Sequence, residues 1–354
     1  MSVRPLDLLV AGGGPAGLVT ALHAARAGLD VEVREPRPGA VDKACGEGLM
    51  PGALQALLAL GVDPAGHPFR GIRYVRAGRS ADADFRRGPG RGIRRTTLHR
   101  ALQEAAVAAG ARIEERAVAE VRQDDAGVVV DGRRARYLVA ADGLHSPVRR
   151  ALGLDLPATR YPRFGLRRHF RTAPWSPYVE VHWGPEVEAY VTPVADDLVG
   201  VAVLASTKGS FDDRLRALPG LTELLRGAAP VTEVRGAGPL RRGARRRVAG
   251  RILLVGDAAG YVDALTGEGL ALAFAQAAAA VRAVVDGEPV RYEREWTRLT
   301  RRYRWLTAAL LAGTRPRVAR RALVPASRLL PPLFDGAVNA LARPVGPARR
   351  APDR

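Results

Sequence analysis

The sequence predicts an α/β fold in which a parallel sheet with flanking helices is split by an inserted antiparallel sheet and followed by C-terminal helices. Three observations carry this expectation. Buried-strand and helical patterns alternate near the start, extended segments with hairpin spacing fill the middle, and one further buried strand and an Ala-rich helix return late.

Asp7 to Ala11 reads as a buried strand, Pro15 to Ala27 as a helix with apolar spacing, and Asp30 to Glu35 as a second strand alternating Val31 and Val33. This is one βαβ unit. Leu49 to Leu60 and Thr97 to Ala109 read as helices, the latter with Leu98, Leu102 and Ala105 on one stripe, and Tyr137 to Ala141 as a short strand. From Tyr161 to Leu204 the pattern becomes extended, with Tyr178 to Trp183 and Val187 to Thr192 joined by a Gly184-Pro185-Glu186 turn. Arg251 to Val255 then reads as a strand and Gly269 to Val285 as a helix. The tail from Arg291 is helical, apolar and basic, with Trp296, Tyr303, Trp305 and Leu306 spaced for one face until Pro316 interrupts; Pro325, Pro331 and Pro332 cut the remainder into short pieces. The division expected is a discontinuous first domain (1–70, 94–160 and 248–290), a second domain (71–93 and 161–247), a helical segment (291–342) and a frayed, disordered tail (343–354).

The 354 residues are 47% hydrophobic and 26% charged, the balance of a globular chain. The net charge is +19, nearly all from arginine, since lysine occurs only at 43 and 208. Aromatics make up 5%, the arginines are scattered in pairs, and no base-reading motif accompanies them, so nucleic acid is not the expected partner. Acidic ligands or anionic membrane surfaces are, the latter through the basic C-terminal helices. Cys45 is the single cysteine, which excludes an intramolecular disulfide and fits a reducing cytoplasm. The first apolar run is too short for a signal-peptide core, and no metal-ligand spacing appears.

Gly12, Gly14 and Gly17 form G-x-G-x-x-G, with Pro15 and Ala16 between the last two, at a strand-to-helix junction. Gly12 permits a tight turn, Gly14 lets the backbone approach a pyrophosphate, and Gly17 lets the helix pack against the strand. The helix N-terminus then faces the phosphates, favouring an anion by roughly 0.3 to 1 kcal/mol per charge. Glu35, at the end of the second strand, is placed to accept hydrogen bonds from an adenosine ribose. Strand, turn, helix and acid together point to a Rossmann-type dinucleotide site. The choice of FAD rests on two further segments, Ala141-Asp142-Gly143 and Gly256-Asp257-Ala258-Ala259-Gly260, each putting an acid at a strand's carboxyl end.

With these motifs and the following Thr266-Gly267-Glu268-Gly269, the chain resembles the FAD-dependent aromatic hydroxylase superfamily and, within it, the geranylgeranyl-reductase-like branch. The resemblance covers nearly the whole chain. It implies that Asp257 bonds the ribityl hydroxyls of FAD, that Gly267 and Gly269 bring backbone N–H groups to the flavin ring, that Arg95 at a helix start touches the cofactor, and that the main chain of Val118 meets adenine. Asp142 is expected to fix its own turn. Ala264 departs from the proline usual in relatives, which bears on the local loop shape.

Asp42-Lys43-Ala44-Cys45-Gly46-Glu47-Gly48 resembles the Lys-x-Cys-Gly segment of the reductase-like branch, which lies beside the isoalloxazine. Two readings of Cys45 stand together: a thiol that donates a proton after hydride transfer, with Lys43 lowering its pKa, and a small residue packed on the ring beside Gly46. Lys43 also resembles the reactive lysine of flavin halogenases, whose Trp-x-Trp-x-Ile-Pro signature is missing. Tyr190, a catalytic candidate beside Lys43 and Cys45 since a tyrosine could supply the proton, is expected either to wall a substrate pocket or to fill the sheet core. His169 and His182 fall on strands, where structural bonding is the expected role.

The leading expectation is a monooxygenase that hydroxylates an aromatic or lipid-like molecule, with NADPH or NADH as transient electron donor because no second G-x-G-x-x-G is present. The alternatives are a geranylgeranyl-reductase-like double-bond reductase, a halogenase-like enzyme, and a non-catalytic flavin-binding scaffold. The apolar, basic tail points toward prenyl or other lipid-like substrates.

Overall fold

The computed structural model describes residues 4–157 and 161–345. Its parallel sheet runs, in spatial order, Ile252–Leu254, Arg133–Ala140, Leu6–Ala11, Val31–Arg34 and Arg112–Glu114. Both faces of the central strand are covered, so its residues are apolar without alternation: Leu6, Leu8, Leu9 and Val10 are all fully buried. Each such leucine contributes roughly 1.5–3 kcal/mol through burial. The helix Pro15–Arg26 packs between Arg95–Ala108 and Gly269–Val285, where Ala277, Ala280 and other small residues bring the helix axes close. The last of these strands in sequence thus sits beside the fourth, Arg133–Ala140, and the intervening chain is free to build a second layer.

That layer is an antiparallel sheet ordered Phe164–Arg171, Leu198–Ala205, Val187–Ala195, Tyr178–Trp183, then Gly71–Arg76, added in parallel, and Arg79–Asp84. The two-residue period of its strands divides the side chains. Val187, Ala189, Val191, Val199, Val201 and Val203 pack against Phe211 and Leu221 of two short helices. Tyr190, Thr192, Ala202 and Leu204 point the opposite way, into a cavity. Strand Gly90–Gly92 joins neither large sheet; it pairs with Gly48–Leu49 and His67–Phe69, so His67 lies in a strand rather than a loop.

The tail forms helices Arg291–Gly313, Arg317–Leu329 and Pro331–Leu341. Two of its residues depart from expectation. Trp296 and Tyr303 are buried, but Trp305 is 70% exposed, because two residues past Tyr303 is about 200° around a helix. Pro325 does not cut the chain: it lies inside Arg317–Leu329, a largely exposed helix anchored by the fully buried Val324, whose packing offsets the missing N–H. Phe334 and Val338 pack on Ala81 and Ala83, closing the outer edge of the antiparallel sheet. Of the expected frayed tail, Arg343 to Val345 are placed, with the backbone of Arg343 and Pro344 against Gly52; residues 346–354 lie outside the described residues.

One buried cation ties the two aspartate turns together. Arg149 is 1% exposed, and its guanidinium donates to Leu144 O (2.9 Å), Ala258 O (2.9 Å) and Asp155 Oδ1 (2.5 Å). Arg149→Leu removes these donors and leaves carbonyls buried without partners, for an expected loss of roughly 2–4 kcal/mol in denaturant unfolding. A loss below about 0.5 kcal/mol, the scale of an ordinary surface change, contradicts this role.

Candidate cofactor cleft and active site

The parallel sheet ends at a turn that only glycine can make. Gly12 has φ +100°, and a Cβ there would lie 2.6 Å from Ala141 O on the neighbouring strand end. A Cβ on Gly17 would lie 1.8 Å from Gly12 O. Gly17 therefore serves the helix–strand contact and lies outside the cavity, unlike the other two glycines. Gly12, Gly14, Pro15 and Ala16 line one end of a cavity of about 1250 Å³. Gly14 caps the helix without a side-chain bond and Pro15 occupies its first turn, so the N–H groups of Ala16 and Gly17 have no intrahelical acceptor. Arg95 adds a full charge beside them: its Nη2 lies 3.8 Å from the Gly14 Cβ position, and its Nε is buried without an acceptor among the described residues. Unpaired donors, a helix start and a cation suit a pyrophosphate.

Glu35 follows the second strand and is 4% exposed. Burial works to raise its pKa, but bonds from Arg37 and from Gly13 N (2.9 Å) outweigh it and hold the carboxyl below its ordinary value. Oε1 accepts from Arg37 N and Nε, and Oε2 from Gly13 N and Arg37 Nη2, which fills all four lone-pair sites. A ribose hydroxyl binds here only if Arg37, more than half exposed, releases one of them. His99 contacts the same turn, its Nε2 lying 2.9 Å from Gly13 O, a role that its place on a helix did not reveal. Ala117 and Val118 line the cavity nearby, though Val118 lies between strands Arg112–Glu114 and Val121–Asp124 rather than within one.

At the other end stand the two aspartate turns. Asp142 accepts from Val148 N at 3.1 Å and so fixes its own turn, while its Oδ1 has no partner among the described residues; burial raises its pKa. Asp257 faces the cavity, and its Oδ2 lies 3.5 Å from Lys43 Nζ. The partner of Lys43 is thus an aspartate of the cleft. Gly267 (φ +68°) and Gly269 line the cavity where helix Gly269–Val285 begins, and nothing stands within 4 Å of where a Gly267 Cβ would be. Cys45 and Gly46 line it too. The Cys45 thiol accepts a bond from Glu47 N at 3.4 Å.

What holds the Lys43 to Glu47 segment was not legible in local sequence. Glu47 adopts φ +59°; its Oε1 accepts from Arg95 N (2.8 Å) and its Oε2 from His169 Nε2 (2.6 Å), both partners being buried. Arg167 Nη1 lies 3.0 Å from His169 Nδ1 and, having no acceptor of its own, makes that nitrogen the acceptor and Nε2 the N–H donor. Arg167 also pairs with Asp42, and Thr192 Oγ1 donates to Gly46 O at 2.8 Å. The segment is bolted to the antiparallel sheet through Arg167, His169 and Thr192. Tyr190 donates to Leu265 O at 3.1 Å, and burial lifts its pKa well above the ordinary range, so it walls the cavity as a neutral phenol. Beyond it the walls are Phe69, Ile72, Val181, Leu310, Val338 and Leu341, an apolar arm reaching the C-terminal helices.

Glu268, between the two cavity glycines, is 2% exposed; burial pushes its pKa up to about 8, which Arg302 at 3.9 Å only partly opposes. A carboxyl whose folded pKa is raised keeps its proton in the native state, so stability falls as pH rises from its ordinary 4.5 toward 8. Glu268→Gln should therefore raise Tm at pH 8 and match the parent near pH 4.5. A constant Tm difference across that window contradicts the assignment. At the other end of the cleft, Glu35→Gln should weaken FAD binding by roughly tenfold or more, read by equilibrium dialysis, since it exchanges a charge-assisted acceptor for a neutral amide.

A family model described as FAD binding domain matches residues 6–286. Digeranylgeranylglycerophospholipid reductase 1 of Methanopyrus kandleri is 32% identical over 75% of this chain and 76% of its own length. Menaquinone reductase of Mycobacterium tuberculosis is 34% identical over 75% and 72%. Among solved structures, the flavin-dependent brominase Bmp2 superposes with a TM-score of 0.82 at 17% identity, covering 96% of this chain and 94% of the brominase. The halogenase PltM, in complex with phloroglucinol and FAD, superposes with a TM-score of 0.74 at 17% identity, covering 95% of this chain and 86% of the halogenase. At those identities the likeness shows the fold. The glycine turn, its unpaired donors and the acids at either end of the cleft accord with the family match: the chain belongs to the FAD-binding-domain family and is an FAD-dependent oxidoreductase.

Proposed function

We propose that this chain reduces carbon–carbon double bonds of a prenyl-bearing lipid or quinone. The observation that carries the reading is the apolar arm of the cavity, walled by Ile72, Val181, Leu310 and Leu341, which continues from the cleft that Cys45 lines. A long hydrocarbon chain fills such a space, and its burial contributes about 0.8 kcal/mol per methylene. The two relatives described above carry names of reductases, one of a digeranylgeranylglycerophospholipid and one of menaquinone. Hydroxylation, the leading expectation from the sequence, needs a dry pocket more than a dedicated residue, and neither relative described above carries the name of a hydroxylase. Lys43, the residue shared with halogenases, is engaged with Asp257.

FAD, when bound and reduced, supplies the hydride. The protein's part is to orient the alkene, exclude water and deliver a proton to the second carbon. Tyr190 is poorly suited to that delivery, because its hydroxyl is committed to Leu265 O and its pKa lies far above neutrality. Cys45 is the better candidate, a half-buried thiol whose sulfur accepts a single bond from Glu47 N. NADPH or NADH is the proposed transient donor of the electron pair.

The test is anaerobic: flavin-loaded protein is reduced with NADPH or NADH, or with dithionite, and mixed with menaquinone or a geranylgeranyl lipid. A product heavier by two hydrogens per turnover is expected. Cys45→Ala should slow flavin reoxidation by about 10²-fold or more, leaving flavin content and its bleaching rate unchanged. Product that gains an oxygen atom when air is admitted, with none hydrogenated under nitrogen, contradicts the proposal.

A further inference from the structure

On the far side of the Gly256–Tyr261 turn from the flavin cleft lies a second cavity of about 780 Å³. Its wall carries Arg241, Arg242, Arg247, Arg301 and Arg304, gathered from the Arg242–Gly243 region, the chain before Ile252, and helix Arg291–Gly313. Asp257, shared with the flavin cleft and facing Lys43 there, is the one carboxylate among its described lining residues. Glu293 pairs with Arg247 at 3.3 Å, whereas Arg241, Arg242, Arg301 and Arg304 have no ion pair among the described residues. Among the described residues, unmatched arginines occur elsewhere in a chain of net charge +19, Arg79 and Arg116 among them, but here four line one recess. Gathering four unmatched guanidiniums around one recess works against folding through mutual repulsion, which an anion in the recess reverses.

Two donors without acceptors lie in its wall. Arg242 Nε and Trp296 Nε1 are both shielded from solvent without an acceptor among the described residues, and Trp296 is 2% exposed. The guanidinium of Arg247 lies 3.6 Å from the Trp296 ring centroid and that of Arg304 lies 5.2 Å from it, so the indole holds two of the cations in place. Forked, pre-oriented guanidiniums bind phosphate oxygens in pairs.

We propose that this arginine-lined cavity, which adjoins the FAD cleft and shares Arg241, Gly256, Asp257, Tyr261 and Gly269 with it, is a binding site for a phosphate-bearing anion other than the dinucleotide, independent of which substrate the cleft takes. The ligand chemistry is a phosphate or pyrophosphate group. It arises either as a free anion or as the headgroup of an anionic lipid, and the exposed Trp305 beside the cavity suits the second source.

The test uses the full chain loaded with FAD, so that the dinucleotide cleft is filled. Inorganic pyrophosphate is titrated by calorimetry, and flotation measures capture by vesicles of phosphatidylglycerol in phosphatidylcholine against vesicles of phosphatidylcholine alone. Arg301→Gln/Arg304→Gln removes two exposed charges at the cavity, and Arg79→Gln/Arg116→Gln removes two exposed charges far from it in sequence. Pyrophosphate should bind saturably, one per chain, with affinity at least about tenfold lower in the first variant and within about twofold in the second, while flavin content stays equal. Vesicle capture that follows the same order identifies a lipid headgroup; vesicle capture insensitive to both variants, with pyrophosphate sensitive, identifies a free anion. If neither probe binds saturably, or both variants lose binding equally, the cluster is a solvated face and the proposal fails.

Discussion

The close approach of three backbone segments at Gly12 sets the geometry of everything else. The strand Leu6–Ala11 can hand over to its helix within a few residues only because Gly12 abuts Ala141 O and Gly17 abuts Gly12 O without a Cβ between them. That contact puts the start of a helix, with its unpaired N–H groups, at the carboxyl edge of the sheet. It also brings Asp142 and, through Arg149, the turn at Asp257 into the same cleft. An added methyl at Gly17 does not merely crowd a loop; it separates the strand from the helix whose unpaired N–H groups open onto the cleft.

The second constraint is the joint between the two sheets. Asp42 to Glu47 belongs to the first domain in sequence, yet its bonds go to Arg167, His169 and Thr192 of the antiparallel sheet. Glu47 reaches back to the N–H of Arg95, whose side chain stands over the glycine turn. Glycine turn, cysteine segment and antiparallel sheet are therefore mechanically one unit. A second buried cluster acts similarly, where Glu188 pairs with both Arg163 and Arg320 and fastens the helix Arg317–Leu329 to the antiparallel sheet. Buried pairs of this kind specify an arrangement more than they stabilise it.

The parts of this architecture that local sequence could reveal are those whose physics is local. Gly12, Gly14 and Gly17 announce themselves by spacing, Glu35 by its distance from them, and helix Gly269–Val285 by its alanines. Contacts made between distant segments were hidden: Glu47 and His169 lie 122 residues apart, and nothing in either neighbourhood marks the other. The expected effect of Lys43 on Cys45 rested on adjacency in sequence, whereas the folded segment gives Lys43 to Asp257 across the cleft. Trp305 was misplaced because apolar character was read without counting degrees around the helix. A charged residue after a strand reads as solvent-facing, yet Arg37 turns back and occupies the Glu35 carboxylate.

Cofactor, substrate and proton donor can meet only if one ligand spans the cleft from Glu35 and the glycine turn to Asp257 and Gly267, with both ends contributing to affinity. The most direct measurement compares FAD with FMN, which keeps the isoalloxazine, ribityl chain and one phosphate but lacks the adenosine end, by quenching of flavin fluorescence on titration into apoprotein. The structure predicts tight, one-to-one binding of FAD and binding of FMN weaker by at least about a hundredfold, the worth of a buried charge-assisted contact and the second phosphate. Equal affinity for the two flavins would contradict it.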